Sequence, residues 1–300
     1  MFLPVQFYLT MSRGVTMDDS SVYIGIDIGG TSTRVALFST LDAPRCTIIA
    51  RFPTVAVYEQ QMQHIMRVLQ DVPHVAGIGV SIGARIAKDG RSVIFGPNMP
   101  DYIGKPFSHD LSDRFGCPVR LAHDTVCGLL GEKAFGSIQH DERCAYLTVS
   151  TGTGAAIHLQ KVGMNLTISI EIGHQILDGN TRTCLCGQVG CLETFTGGKQ
   201  LELRLGKPLT QITDPAFWET FSEKLALGLV NLAQLTKVEV VAVSGGIVLS
   251  NLFLLERIQY HVNKRLHGTA VTLRPALLGE NAPIVGAAIL LATPEETILH

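Results

Sequence analysis

An α/β fold is what the 300 residues predict, and three observations carry that expectation. Strand-like runs alternate with helical stretches along the chain. Two of those runs, 22–38 and 144–158, are hairpins with glycine-rich turns, and each opens a half rich in strands and helices. A further buried strand, 238–243, ends in Ser244-Gly245-Gly246, the kind of strand end where open α/β sheets take ligands.

The first hairpin, VYIGIDIGGTSTRVALF, sets Gly29, Gly30 and Thr31 between two β-rich flanks, with Asp27 just ahead of them. Met62, Ile65, Met66 and Leu69 then recur at helical spacing over 59–69. A buried strand follows at 75–82, and a second hairpin-like stretch at 85–95 turns at Asp89-Gly90. Pro97-Asn98-Met99-Pro100 punctuates the chain as a fixed loop. Residues 119–123 form a short strand, and Asp124 opens a helix through Phe135. After Gly136 the second hairpin turns at Ser150-Thr151-Gly152-Thr153-Gly154. A loop-rich insertion occupies about 171–197. Asp214-Pro215 is an N-cap and first-position pair, and Phe217, Phe221, Leu225 and Leu229 then lay one apolar stripe along a long helix. Residues 282–292 read as a buried helix.

The apolar fraction is 46% and only 17% of residues are charged, so the chain can bury a large core and disorder is excluded. Lys plus Arg (24) nearly balances Asp plus Glu (26), and no basic stripe offers a nucleic-acid footprint. A small-molecule partner is expected, with no nucleic acid and no membrane, because no run approaches the roughly 18 apolar residues of a span. The first residues lack a basic n-region and a small-x-small cleavage site, and Met11 and Met17 are possible later starts. A cytoplasmic protein is expected, with 1–21 as a tail.

Glycine turns let backbone N–H groups approach a phosphate, and threonines add hydroxyl donors. Gly29, Gly30 and Thr31 suit this, with Asp27 near a bound Mg²⁺; a tight hairpin with a capping Asp is the plainer alternative. Thr151, Gly152, Thr153 and Gly154 repeat the pattern, and Gly245-Gly246 adds a third. Together they predict a nucleotide cleft between two halves. Of the seven cysteines, Cys184, Cys186 and Cys191 crowd into eight residues. With His174 they form one imidazole and three thiolates, a closed tetrahedral set for structural Zn²⁺. Cys127, Trp218 and the Phe stripe read as core, and the Asn165-Leu166-Thr167 glycosylation pattern as accidental.

The order DIGGT, HD at a helix start, TGTG, EIGH with CxCGxxGCxE, then SGG resembles the ROK family of bacterial sugar kinases and repressors. The resemblance runs from about Tyr23 to the C-terminus and is most specific over 171–193. It implies two RNase H-like (actin-like ATPase) domains with a cleft between them: 22–135, completed by a C-terminal helix at 284–298, and 136–283, carrying the zinc loop at 171–197. It also implies an ATP- and Mg²⁺-dependent hexose kinase acting at the 6-hydroxyl, expected as a homodimer. Asp124 would be the general base, where position alone equally allows a helix N-cap. Asn98, His123, Glu171, His174 and Glu193 would face the sugar, and Gly245 and Gly246 would border the adenosine. The resemblance also assigns His174, Cys184, Cys186 and Cys191 to structural zinc. His123 stands where the family usually has Asn, Ser81-Ile82-Gly83-Ala84-Arg85 replaces a Pro-Gly segment, and 164–170 replaces a Gly/Ala stretch, all around the sugar pocket. A sugar-binding homologue without kinase activity is the alternative. A repressor would need a DNA-binding module ahead of the first hairpin, where only about twenty residues stand.

Overall fold

The computed structural model describes residues 21–96 and 99–300; the expected N-terminal tail (but for Ser21) and Asn98 lie outside the described residues. The chain forms two units, one of residues up to Gly131 with Pro283–Glu295 and His300, the other of Glu132–Ala282 with Glu296–Leu299.

In the first unit β1 (Val22–Ile28), β2 (Ser32–Phe38) and β3 (Thr47–Pro53) make an antiparallel meander. Helix α1 (Tyr58–Leu69) buries Met62, Ile65 and Leu69, the stripe its spacing predicts. Strand β4 (Val75–Ile82) joins β1 in parallel. The two-stranded β5 (Arg85–Ile86) and β6 (Val93–Phe95) flank the Asp89-Gly90 turn, where Gly90 adopts φ +69°. Helix α2 (Phe107–Phe115) leads to β7 (Val119–His123), and α3 (Asp124–Phe135) follows at once. The sheet order is β3-β2-β1-β4-β7.

The second unit builds the same order. Strands β8 (Arg143–Val149), β9 (Thr153–Lys161) and β10 (Met164–Ile170) form a meander. Short α4 (Glu193–Thr196) and α5 (Gly198–Leu205) close the cysteine loop, and α6 (Pro215–Thr236) starts at Asp214, whose carboxylate accepts the Ala216 N–H. Strand β11 (Val240–Ser244), α7 (Gly246–Leu249), α8 (Phe253–Arg265) and β12 (Thr272–Pro275) follow, giving β12-β11-β8-β9-β10 with β11 and β12 parallel to β8. Phe221, Leu225 and Leu229 of α6 are almost fully buried in this unit's core.

Helix α9 (Ala282–Leu290) returns the chain to the first unit. It lies over Gly25 and Gly79, which face each other across β1 and β4. A Cβ on Gly79 would overlap the Ala287 carbonyl, and one on Gly25 would meet Ile284 O at 2.7 Å. The absence of side chains is what lets the helix approach the sheet. The C-terminal helix expected over 284–298 is shorter: it ends at Leu290, and Ile298–Leu299 form β13, paired in parallel with β10. Pro294 explains the stop, since it has no N–H to continue the ladder and biases Thr293 away from the helical region.

Glu132, fully buried at the start of the second unit, accepts Ser137 N–H and Oγ–H and the amides of Leu277 and Leu278. It thus fastens the segment after α3 to the segment before α9.

Candidate functional site

In the first unit, strand register assembles the polar centre. Asp27 on β1 lies opposite Arg34 on β2 and Ser81 on β4. Arg34 donates Nη2 at 2.7 Å and Nε at 3.2 Å to Asp27 Oδ2, and Ser81 donates to Oδ1 at 2.8 Å. Burial pushes the Asp27 carboxyl up, and Arg34 and Ser81 oppose that rise. Asp27 is therefore committed to an ion pair within the sheet. Arg34 does not stand out in the sequence, and Ser81 does so only as part of a segment that departs from the family pattern; the strand register reveals the row.

The turn that follows is held from one side. Thr54 donates its hydroxyl to Gly29 O at 2.7 Å and its N–H to Thr31 O at 3.1 Å. Gly30 and Thr31 remain exposed. Gly83, just past β4, donates its N–H to Ile28 O at 3.1 Å, and a Cβ there would sit 3.5 Å from Asp124 Oδ2. Asp124 thus stands beside the Gly29–Thr31 turn, at the junction of β7 and α3, with its side chain one-third exposed. His123 Nδ1 lies 2.9 Å from Asp124 Oδ1 and 2.8 Å from Thr125 Oγ1. Cys127, one turn on, is fully buried with its thiol raised well above normal by burial and then by Asp27 and Asp124, as a core residue would be.

In the second unit the Thr151–Gly154 turn is ringed by backbone. The amides of Gly198 and Lys199, at the start of α5, donate to Ser150 O at 2.8 Å and Thr151 O at 3.0 Å. Gly245, at φ +93°, packs against Val149 so closely that a Cβ would collide with its backbone. Gly246 then opens α7. Glu193 enters this assembly directly: its Oε2 accepts the Thr153 N–H at 2.8 Å, and Gln200 donates to Oε1 at 3.1 Å. The expected sugar contact is thus also a clamp on the turn. No motif marks Gln200 in the sequence.

Glu171 and His174 flank one 3-10 turn, with His174 Nε2 3.8 Å from Glu171 Oε2. The donor atoms of His174, Cys184, Cys186 and Cys191 all lie within 4.8 Å of one another. The Cys186 and Cys191 sulfurs are 3.8 Å apart, and Cys184 Sγ is 3.9 Å from His174 Nδ1. A tetrahedral ion with 2.3 Å metal–sulfur bonds sets its sulfurs about 3.8 Å apart, so the set can hold a metal ion. Gln200 and Gln188 amides donate to Cys184 and Cys191 sulfur at 2.9 and 3.3 Å, the outer hydrogen bonds that thiolates need. Burial, and then the adjacent thiols, push Cys191 up to about 12. A cation in their midst would reverse that penalty.

Each unit sets a glycine turn at the end of its first strand, with a carboxylate beside it, on a mixed α/β sheet of one repeated order. This is the architecture of the actin-like ATPase sugar kinases. The sequence matches the ROK family over residues 23–293, and the chain belongs to that family. It is 30% identical over 301 residues to a glucokinase of Pyrobaculum calidifontis, covering 92% of this chain and 97% of that one. It is 26% identical over 247 residues to the xylose repressor of Bacillus subtilis, covering 75% of this chain but 63% of the repressor. The chain therefore spans less than two thirds of that repressor. Among solved structures, a ROK hexokinase from Thermus thermophilus superposes with TM-score 0.74 at 25% identity, over 90% of this chain and 97% of that one. A ROK family glucokinase from Streptomyces griseus, crystallised with glucose and AMPPNP, has the same fold, with TM-score 0.74 at 22% identity over 90% and 99% of the two chains. Among the described residues no helix is long and apolar enough to cross a membrane.

Proposed function

We propose that this chain is an ATP-dependent sugar kinase that phosphorylates a hexose, at its 6-hydroxyl. The observation that carries the reading is the placement of Asp124 Oδ2 beside Gly83, which itself bonds the strand end where the Gly29–Thr31 turn begins. A carboxylate there can accept the proton of a sugar hydroxyl while the turn amides face the transferred phosphoryl group. The hydroxyl oxygen forms the new bond to the γ-phosphorus, the bond to the β-phosphate oxygen breaks, and the proton stays on Asp124 until solvent takes it. Thr151, Gly152, Thr153 and Gly154 would hold the nucleotide phosphates, and Gly245-Gly246 would border the adenosine. Mg²⁺ supplies charge neutralisation when bound with ATP. Asp27, held by Arg34 and Ser81, would stand in its outer surroundings.

Glu171, His174, Glu193, His123 and Asn98 would take the sugar hydroxyls, with carboxylates accepting their hydrogen bonds. The Cys/His cluster would carry structural Zn²⁺, since four soft donors leave no position for water. Tying His174 to the cysteine loop also sets the spacing of Glu171 and Glu193.

A coupled ADP-release assay across glucose, mannose, fructose, allose and N-acetylmannosamine tests the activity. Asp124→Asn should lower kcat by about 10³-fold with an unchanged melting temperature; retained turnover would remove Asp124 from the base role. The similarity to xylose repressors favours one second reading, a sugar-binding homologue without turnover. Calorimetric sugar binding with no ADP release would select it.

A further inference from the structure

Away from these turns, a cavity of about 330 Å³ opens on the second unit beside the cysteine loop. Two arginines line it. Arg182, from the loop, stacks its guanidinium 4.0 Å from the centre of the Phe195 ring. Arg204, at the end of α5, donates Nη1 to Thr194 O at 2.6 Å. Neither has a carboxylate within 4 Å among the described residues. Partial burial, and then the Arg182 charge, lower the Arg204 guanidinium from its ordinary value. Lys224 adds a third cation 5.2 Å from the same Phe195 ring. The one acidic lining residue, Asp214, is turned to cap α6 through Ala216 N–H.

Uncompensated arginines sharing a concavity are poised for a bidentate anion, and guanidinium forks match phosphate geometry. The rest of the wall is not what a bare anion needs. Phe217 and Phe221, one helical turn apart on α6, and the Thr220 hydroxyl extend it into a half-aromatic pocket, at the small end of the range for ligand sites.

We propose that this cavity is a second ligand site, for a small phosphate monoester of sugar size, with Arg182 and Arg204 on the phosphate and the half-buried Phe217 ring against the organic body. The occupant would bridge the cysteine loop, α5 and α6. It would also lie against α4, whose first residue, Glu193, clamps Thr153. The site does not depend on the kinase reading, since none of its residues belongs to the glycine turns or faces Asp124.

The protein carries its own reporter. Trp218, the only tryptophan in the chain, packs edge-on against Phe217 at 4.9 Å and Phe221 at 5.5 Å. Titrating the full chain with glucose 6-phosphate should change Trp218 fluorescence saturably, with a calorimetric isotherm in parallel. Arg182→Gln with Arg204→Gln should weaken that response at least tenfold, and Arg204→Lys, which keeps charge and fold but loses the planar fork, severalfold. Glucose and inorganic phosphate are the control arms. An unchanged response in the arginine variants, or no saturable binding in the unaltered protein, would overturn the site. A response reproduced in full by inorganic phosphate would overturn the monoester assignment.

Discussion

Glu193 Oε2 accepts the Thr153 N–H at 2.8 Å, joining two residues forty positions apart. The residue expected to meet the sugar thereby also shapes the turn expected to meet the nucleotide. A charge-assisted bond of this kind is worth about 1.5–3 kcal/mol. Glu193→Gln should therefore raise the KM for ATP by roughly tenfold or more, beyond any change in the KM for sugar. Steady-state kinetics varying each substrate in turn will show the split; a KM change confined to the sugar would assign Glu193 to the sugar alone.

Metal removal should unfold the cysteine loop. Zinc analysis is expected to find one ion per chain, lost from a variant carrying Cys184→Ser and Cys186→Ser. Chelation should lower the melting temperature, because metal binding energy is folding energy in a closed site. An unaltered melt after complete metal loss would make the cluster incidental.

Glu132 has four donors and no exposure. Glu132→Ala would strand three partly buried N–H groups and one hydroxyl at about 1 kcal/mol each, the low end of the range for an unmet donor, so a loss of about 3 kcal/mol is expected in urea unfolding. Glu132→Gln, which keeps one acceptor oxygen, should fall in between.

His158 sets a pH dependence. Its Nδ1 lies 2.9 Å from Thr167 Oγ1, while Nε2 has no hydrogen-bond partner among the described residues. Burial, and then the Lys133 charge, lower its pKa from 6.5. The unfolded chain then binds the proton more readily, so this contribution to stability is complete above 6.5 and is lost as pH falls through 6.5 toward the lower folded value. Urea midpoints should drop between pH 7.5 and about 5.5, and His158→Gln should flatten that drop. A variant with the same slope as the unaltered protein would place the titration elsewhere.

What could be read from the sequence was what is local. Glycine turns, the Asp214 cap, the α6 stripe and the crowded cysteines each declare themselves within a few residues, and each stands in the structure as an element or a cluster. The Arg34–Asp27–Ser81 row does not, because it depends on the pairing of three strands from distant segments. Gln200 and the second role of Glu193 are hidden for the same reason. Residues 164–170, which depart from the family pattern, form β10, and α9 ends at Leu290 rather than at 298 because Pro294 stops the helix that the apolar run before it suggests.

Helix α9 has a consequence for biosynthesis. The second unit is contiguous over 132–282 apart from a late edge strand, whereas the first, although translated earlier, needs 283–295 to cover its glycine-paired strands. On the ribosome the later unit is therefore expected to become protease-resistant before the earlier one. Limited proteolysis of stalled nascent chains would show the order, and Gly79→Val should leave the first unit digestible even at full length. Until its last helix emerges, the half of the molecule that holds Asp124 waits with its sheet uncovered, a window in which a chaperone has more to protect than in the half made after it.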